Sequence, residues 1–211
     1  MKLALMLRPE DKDRWVLARQ IGVNHAIVSL SSVLDKITRD EYLDTLRQIK
    51  ATYEESGLTI AGVESHPVAA EKIKLGVPGR DEEIANYCAV IEALGKVGIP
   101  MCCYNFKLMG DDIQSLVREF GKQDKIFFVH LRDVQGTRER FRETFHDNGP
   151  TDMAEMLRLY HEVGFLGPIR PYHAPTLADE SNQRPGYAMQ GKVFAIGYMK
   201  GIAEALNISV I

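Results

Sequence analysis

With 211 residues, a net charge of −3, 45% apolar and 26% charged side chains, the chain has the composition of one soluble globular domain able to bury a sizeable core. Acids and bases are interspersed, which excludes the clustered Lys/Arg that a nucleic-acid or anionic membrane surface requires. No apolar run approaches the ~20 residues of a membrane span, and the apolar stretch in the opening MKLALMLRPEDKD is too short for a secretory leader.

In chain order, residues 3–7 predict a strand, residues 13–20 a helix and residues 26–30 a second strand. Thr38 followed three residues later by Glu41 is a capping box, and Tyr42, Leu46, Ile49 and Tyr53 keep helical spacing until Gly57. Residues 58–63 predict a third strand. A helix over residues 81–95 is expected to turn Ile84, Tyr87, Cys88, Ile91 and Leu94 inward. Residues 99–104 predict a strand, 111–120 a helix, 126–130 a strand, 151–163 a helix with Met153, Met156, Leu157 and Tyr160 inward, 168–170 a short strand and 195–205 a closing helix. Strands alternating with helices imply right-handed βαβ units around a parallel sheet, so the fold class is α/β. In such folds chemistry gathers at the carboxyl ends of strands, where Tyr104, Asn105, His130, Arg132, Arg170 and His173 fall.

The densest set of proton- and metal-competent side chains lies in residues 127–187. His130 closes the run IFFVH; it reads as a divalent-metal ligand or as a packed histidine satisfied by backbone. His146, Asp147 and Asn148 precede Gly149 in ETFHDNG, a turn signal that also offers donor atoms. In PIRPYHAP, prolines bracket Tyr172 and His173 and stiffen their backbone, as an acid/base pair requires. Tyr187 follows a Pro-Gly turn, either reaching over a site or plugging the core. Cys88, Cys102 and Cys103 are odd in number and two are adjacent, which is no disulfide framework and points to a reducing cytoplasm. Adjacent strand residues face opposite ways, so Cys102 and Cys103 cannot enter one site.

These strings together resemble the mannonate dehydratase family over essentially the whole chain. SHPVAAEKIKLGVPGRDEEIANY, LGKVGIPMCCYNF, FFVHLRDVQG, FRETFHDNG, GFLGPIRPYHAPT, RPGYA and GKVFAIGYMKGIAEAL follow the family's order. The resemblance implies a fold derived from the xylose isomerase-like (β/α) barrel. It also implies a Mn²⁺- or Fe²⁺-dependent hydro-lyase of hexuronate catabolism that dehydrates D-mannonate to 2-keto-3-deoxy-D-gluconate. In its terms His130 is a metal-ligand histidine, and Arg170, His173 and Tyr187 fall on positions of substrate handling and proton transfer, with His173 and Tyr187 as proton carriers and Arg170 binding substrate; Asn105, at the end of the fourth strand, is a further substrate-binding candidate. The expected partner is the small sugar acid, with neither nucleic acid nor membrane.

The chain departs from the family pattern at two places. After YNF, near residues 106–108, a long stretch holding about two βα units is absent. The family's Arg-Pro-Asp-His reads Arg170-Pro171-Tyr172-His173, so a ligand aspartate is a tyrosine. The sequence therefore predicts one shortened barrel-derived domain over residues 1–211, weak or no Mn²⁺ binding, and association into a homo-oligomer. The alternative function is that of a catalytically inactive relative that binds a sugar acid or acts in oligomeric interactions.

Overall fold

The apolar run near the amino terminus forms β1 (Lys2–Met6), which buries Leu3, Ala4 and Leu5. This strand contributes to two compact units: one contains Leu5–Leu108, the other Met1–Ala4 with Met109–Ile211. The computed structural model describes residues 1–103, 113–137, 140–181, 183 and 186–211.

In the unit of Leu5–Leu108, the elements after β1 are α1 (Lys12–Gln20), β2 (His25–Val28), α2 (Ser31–Leu34), α3 (Tyr42–Glu55), β3 (Thr59–Glu64), α4 (Glu71–Leu75), α5 (Arg80–Val97) and β4 (Cys102–Cys103). The expected capping box forms. Thr38 donates through its backbone N and its hydroxyl to Glu41 Oε2, at 2.8 and 2.6 Å, and α3 follows from there. Tyr53 on α3 packs its ring, tilted by 36°, against Trp15 at 3.9 Å and donates its hydroxyl to Leu7 O at 2.6 Å, joining two helices to the end of β1. β2, β3 and β4 pair in parallel, with Val63 beside both Val28 and Cys102, and Leu7 N donates to Ile27 O.

The buried face of α5 differs from the expected one. Glu83, Val90, Ala93 and Leu94 are buried, whereas Ile84, Cys88 and Ile91 are exposed. Apolar side chains lie on two sides of this helix, so periodicity alone does not choose which packs against α3 and α4.

The other unit adds α6 (Ile113–Gly121), β5 (Val129–Leu131), β6 (Asp133–Gly136), β7 (Phe141–Thr144), α7 (Met153–Glu162), β8 (Pro168–Pro171) and α8 (Gln190–Ala205). β8 lies between β1 and β5, parallel to both: Ile169 is level with Leu3 and Val129, and Arg170 is level with His130. α7 opens on Asp152, whose Oδ1 accepts from Glu155 N at 2.9 Å, and it buries all four residues the sequence turned inward.

β2, β3 and β4 pair in parallel, as do β1, β8 and β5, and these strands alternate with helices as the α/β reading requires. The sequence reading missed the antiparallel hairpin β6–β7, which pairs Val134 with Glu143 and Gln135 with Arg142. Strand pairing near residue 130 begins only at Val129, α8 starts at Gln190, and the strand expected over 99–104 is described only at Cys102–Cys103. No helix among the described residues is long and apolar enough to cross a membrane.

Candidate active site

The parallel register of β5 and β8 places His130 beside Arg170 at their carboxyl ends, and the chain leaving β8 carries Tyr172 and His173 onward. Tyr172 N donates to Leu131 O at 2.8 Å, which extends the ladder by one bond and fixes where the next two rings stand. Those rings form a stack. Tyr172 lies flat on His130, with centroids 4.4 Å apart and planes 5° from parallel, and flat on His173 at 4.0 Å and 14°. Tyr187 meets the edge of His173 at 4.7 Å, and its hydroxyl is 3.5 Å from that of Tyr172. Arg170 is only 1% exposed, with its guanidinium carbon 5.1 Å from the Tyr172 ring centre. Thus His130, Arg170, His173 and Tyr187 gather in one place. Asn105, like Tyr104, lies outside the described residues.

Two members of this cluster were not singled out in the sequence. Glu143, on β7, places Oε1 2.9 Å from His173 Nδ1 and 3.0 Å from Arg132 Nη1. Lys192, on the first turn of α8, is 3% exposed, donates to Tyr187 O at 3.3 Å and lies 5.1 Å from the Tyr187 ring centre. Glu143 became visible only with the hairpin, whose alternation is blurred by charged residues on both strands. Burial pushes the His173 imidazole below its ordinary range, as do the charges of Arg132 and Lys192, while the Glu143 carboxylate works against them.

Gly186 holds the aromatic end of the cluster in place. Its φ of +81° is a left-handed conformation, and a Cβ there would stand 3.1 Å from Cγ and 3.4 Å from Cδ2 of the His173 ring. Gly186→Ala is therefore expected to lower stability by about 1–2 kcal/mol and to displace the ring. Thermal unfolding measures the first effect, and the His173 ring resonances report the second.

His146 and Asp147 do not join the cluster. His146 is 1% exposed and donates from Nε2 to Leu131 O at 3.0 Å, so the same carbonyl accepts from His146 and from Tyr172 N. Burial lowers its proton affinity. Asp147 is exposed. The turn around them is tied down by buried Asp133, whose carboxylate accepts from Thr151 N at 3.2 Å and Thr151 Oγ1 at 2.9 Å. Gly149 packs so closely on that carboxylate that any Cβ would overlap it. In the unit of Leu5–Leu108, Cys102 is driven up to about 11, chiefly by burial, which removes it as a thiolate nucleophile or ligand near neutral pH.

The family model for D-mannonate dehydratase (UxuA) matches residues 15–110 and 107–210. Mannonate dehydratase 2 of Halalkalibacterium halodurans is 36% identical over 114 residues, covering 52% of this chain and 33% of that protein. Mannonate dehydratase of Thermotoga petrophila is 34% identical over 100 residues, covering 46% of this chain and 28% of its own length. The aligned part thus spans about a third or less of these relatives. The crystal structure of mannonate dehydratase from Streptococcus suis serotype2 shares the fold, with a TM-score of 0.79 at 17% identity, over 100% of this chain and 97% of that one. The matched segments together take in every residue from 15 to 210, and the chain belongs to the D-mannonate dehydratase family.

Proposed function

We propose that the chain acts as a mannonate dehydratase-like hydro-lyase, converting D-mannonate to 2-keto-3-deoxy-D-gluconate. The observation that carries this reading is the contact of His173 with Tyr187 beside β8, two proton carriers at positions matching the family motif. In the reaction the C2 proton and the C3 hydroxyl leave as water. The C2–H electrons form the C2=C3 bond, and the resulting enol ketonises. His173 and Tyr187 together supply one group to take the C2 proton and one to protonate the departing hydroxyl. Arg170, buried in a low-dielectric setting, favours an anionic substrate head group by charge acting across the Tyr172 ring. Asn105 is assigned to substrate from its place at the end of the fourth predicted strand in the sequence.

The family resemblance also implies Mn²⁺ or Fe²⁺, held in part by His130. The residues beside His130 do not fit such an ion. A phenol ring replaces the carboxylate and covers one face of the His130 imidazole, and His146 spends its Nε2 on a backbone carbonyl. Among the described residues no three His, Cys, Asp or Glu side chains converge on one point, against the roughly three protein ligands of catalytic metal centres. No step is assigned to a metal here. Isothermal titration with Mn²⁺ is expected to show no stoichiometric sub-micromolar site, and such a site would overturn this assignment.

A reducing, cytoplasmic setting accords with three free cysteines. We also propose a homo-oligomer, because Ile113, Leu116 and Phe120 on α6, with Phe127 and Leu166, leave large apolar side chains exposed in one unit. Light scattering at micromolar concentration is expected to give a dimer or larger species; a stable monomer would refute it. The function itself is tested by incubating purified protein with D-mannonate, with and without added Mn²⁺, and measuring the 2-keto acid. Product formation supports the lyase. No product, with mannonate still bound in calorimetry, replaces it with a sugar-acid-binding relative.

A further inference from the structure

We infer that Glu143 is a positioning residue for His173: it fixes the ring's tautomer so that Nε2 faces the site as a bare acceptor. The inference rests on the proposed lyase reading for its functional meaning but on geometry for its substance. The register of β6 and β7 sets Glu143 opposite Val134, within reach of the chain that leaves β8. Its Oε1 is 2.9 Å from His173 Nδ1. An ionised carboxylate only accepts, so in the neutral ring Nδ1 carries the hydrogen and the lone pair belongs to Nε2. That Nε2 is buried and has no hydrogen-bond partner among the described residues, as expected of an atom kept for something that enters the site.

The contact is held from both sides. Arg132, between β5 and β6, donates from Nη1 to the same Oε1 at 3.0 Å, tying the hairpin back to the sheet strand from which it springs. The ring cannot turn over freely, since Tyr172 stacks on one side, Gly186 closes on it and Tyr187 meets its edge. Among the described residues, the charged and titratable groups around His173 are Glu143 on β7, Arg132 at the head of the hairpin, Lys192 on α8, and the phenols of Tyr172 and Tyr187. Of these, Glu143 alone meets His173 Nδ1 with an acceptor. A ring with Nδ1 protonated can take a proton at Nε2 but has none to give there, so His173 starts the cycle as an acceptor.

The test is ¹⁵N–¹H correlation of histidine-labelled protein at about pH 8, where an imidazole is neutral. In the wild type, His173 is expected as the Nδ1–H tautomer. Glu143→Leu is expected to move it to the Nε2–H form, whereas Glu143→Gln, which keeps an acceptor oxygen, preserves the wild-type pattern. If the chain turns over mannonate, Glu143→Leu should lower kcat about 10²-fold with KM changed about twofold or less, and Glu143→Gln should recover most of the loss. A proton on Nε2 in the wild type overturns the inference, and this measurement needs no variant should Glu143→Leu fail to fold. An unchanged tautomer in folded Glu143→Leu overturns it equally. If the tautomer behaves as stated but no mannonate is consumed, the lyase reading fails and the positioning role stands.

Discussion

His173→Asn and Tyr187→Phe are each expected to reduce mannonate turnover by about 10²–10⁴-fold, the range for one positioned acid or base. Asparagine keeps polarity and much of the volume of the imidazole but cannot accept a proton. Phenylalanine keeps the edge contact with His173 and removes only the hydroxyl. Both variants should therefore fold and fail in chemistry, and circular dichroism beside a steady-state assay checks the two halves. Cys102→Ser and Cys103→Ser serve as the contrast: they lie on β4, and they should alter stability while leaving turnover near the parent value. Loss of turnover in the cysteine variants with retention in Tyr187→Phe would remove the assignment of the proton steps.

His146→Ala is expected to destabilise the fold by about 2–4 kcal/mol, read from the urea midpoint, because it removes a buried ring and its bond to Leu131 O together. The same residue gives the stability a pH dependence of known sign. Burial lowers the folded proton affinity of His146, and the same holds for His173 and His66, while in the unfolded chain each titrates near the ordinary value of about 6.5. Below that pH the unfolded state binds more protons than the folded one, so stability falls as pH falls through and beneath it. His146→Gln should make the decline between about pH 6.5 and 5 shallower. An equal slope in parent and variant would show that His146 is not the group that titrates.

Much of the architecture was legible because local chemistry and tertiary packing agreed. Thr38 and Glu41 satisfy the start of α3 with their own side chains, and Met153, Met156, Leu157 and Tyr160 all point into the core as their spacing required. Legibility failed where several apolar faces competed, as on α5, and where polar strands paired only with each other. Asp133–Gly136 and Phe141–Thr144 carry charge on both strands, so neither looked like a strand until the other was opposite it. The candidate site divided along the same line. His130, Arg170, His173 and Tyr187 announced themselves by residue type beside strands and turns. Glu143 and Lys192 gain their meaning only from where a hairpin and a helix start deliver them. His146 had donor chemistry but spends it on the backbone.

The Tyr172 ring between two imidazoles has a bearing on the history of the chain. If this position once held the family's aspartate, the tyrosine has since become the spacer that two histidines rest on. Reversal by Tyr172→Asp would leave a gap of roughly a phenol's volume between His130 and His173, and the carboxylate would face buried Arg170. The single back-substitution is thus expected to cost stability through loss of both ring contacts, with pairing of the new carboxylate to Arg170 offsetting part of that loss.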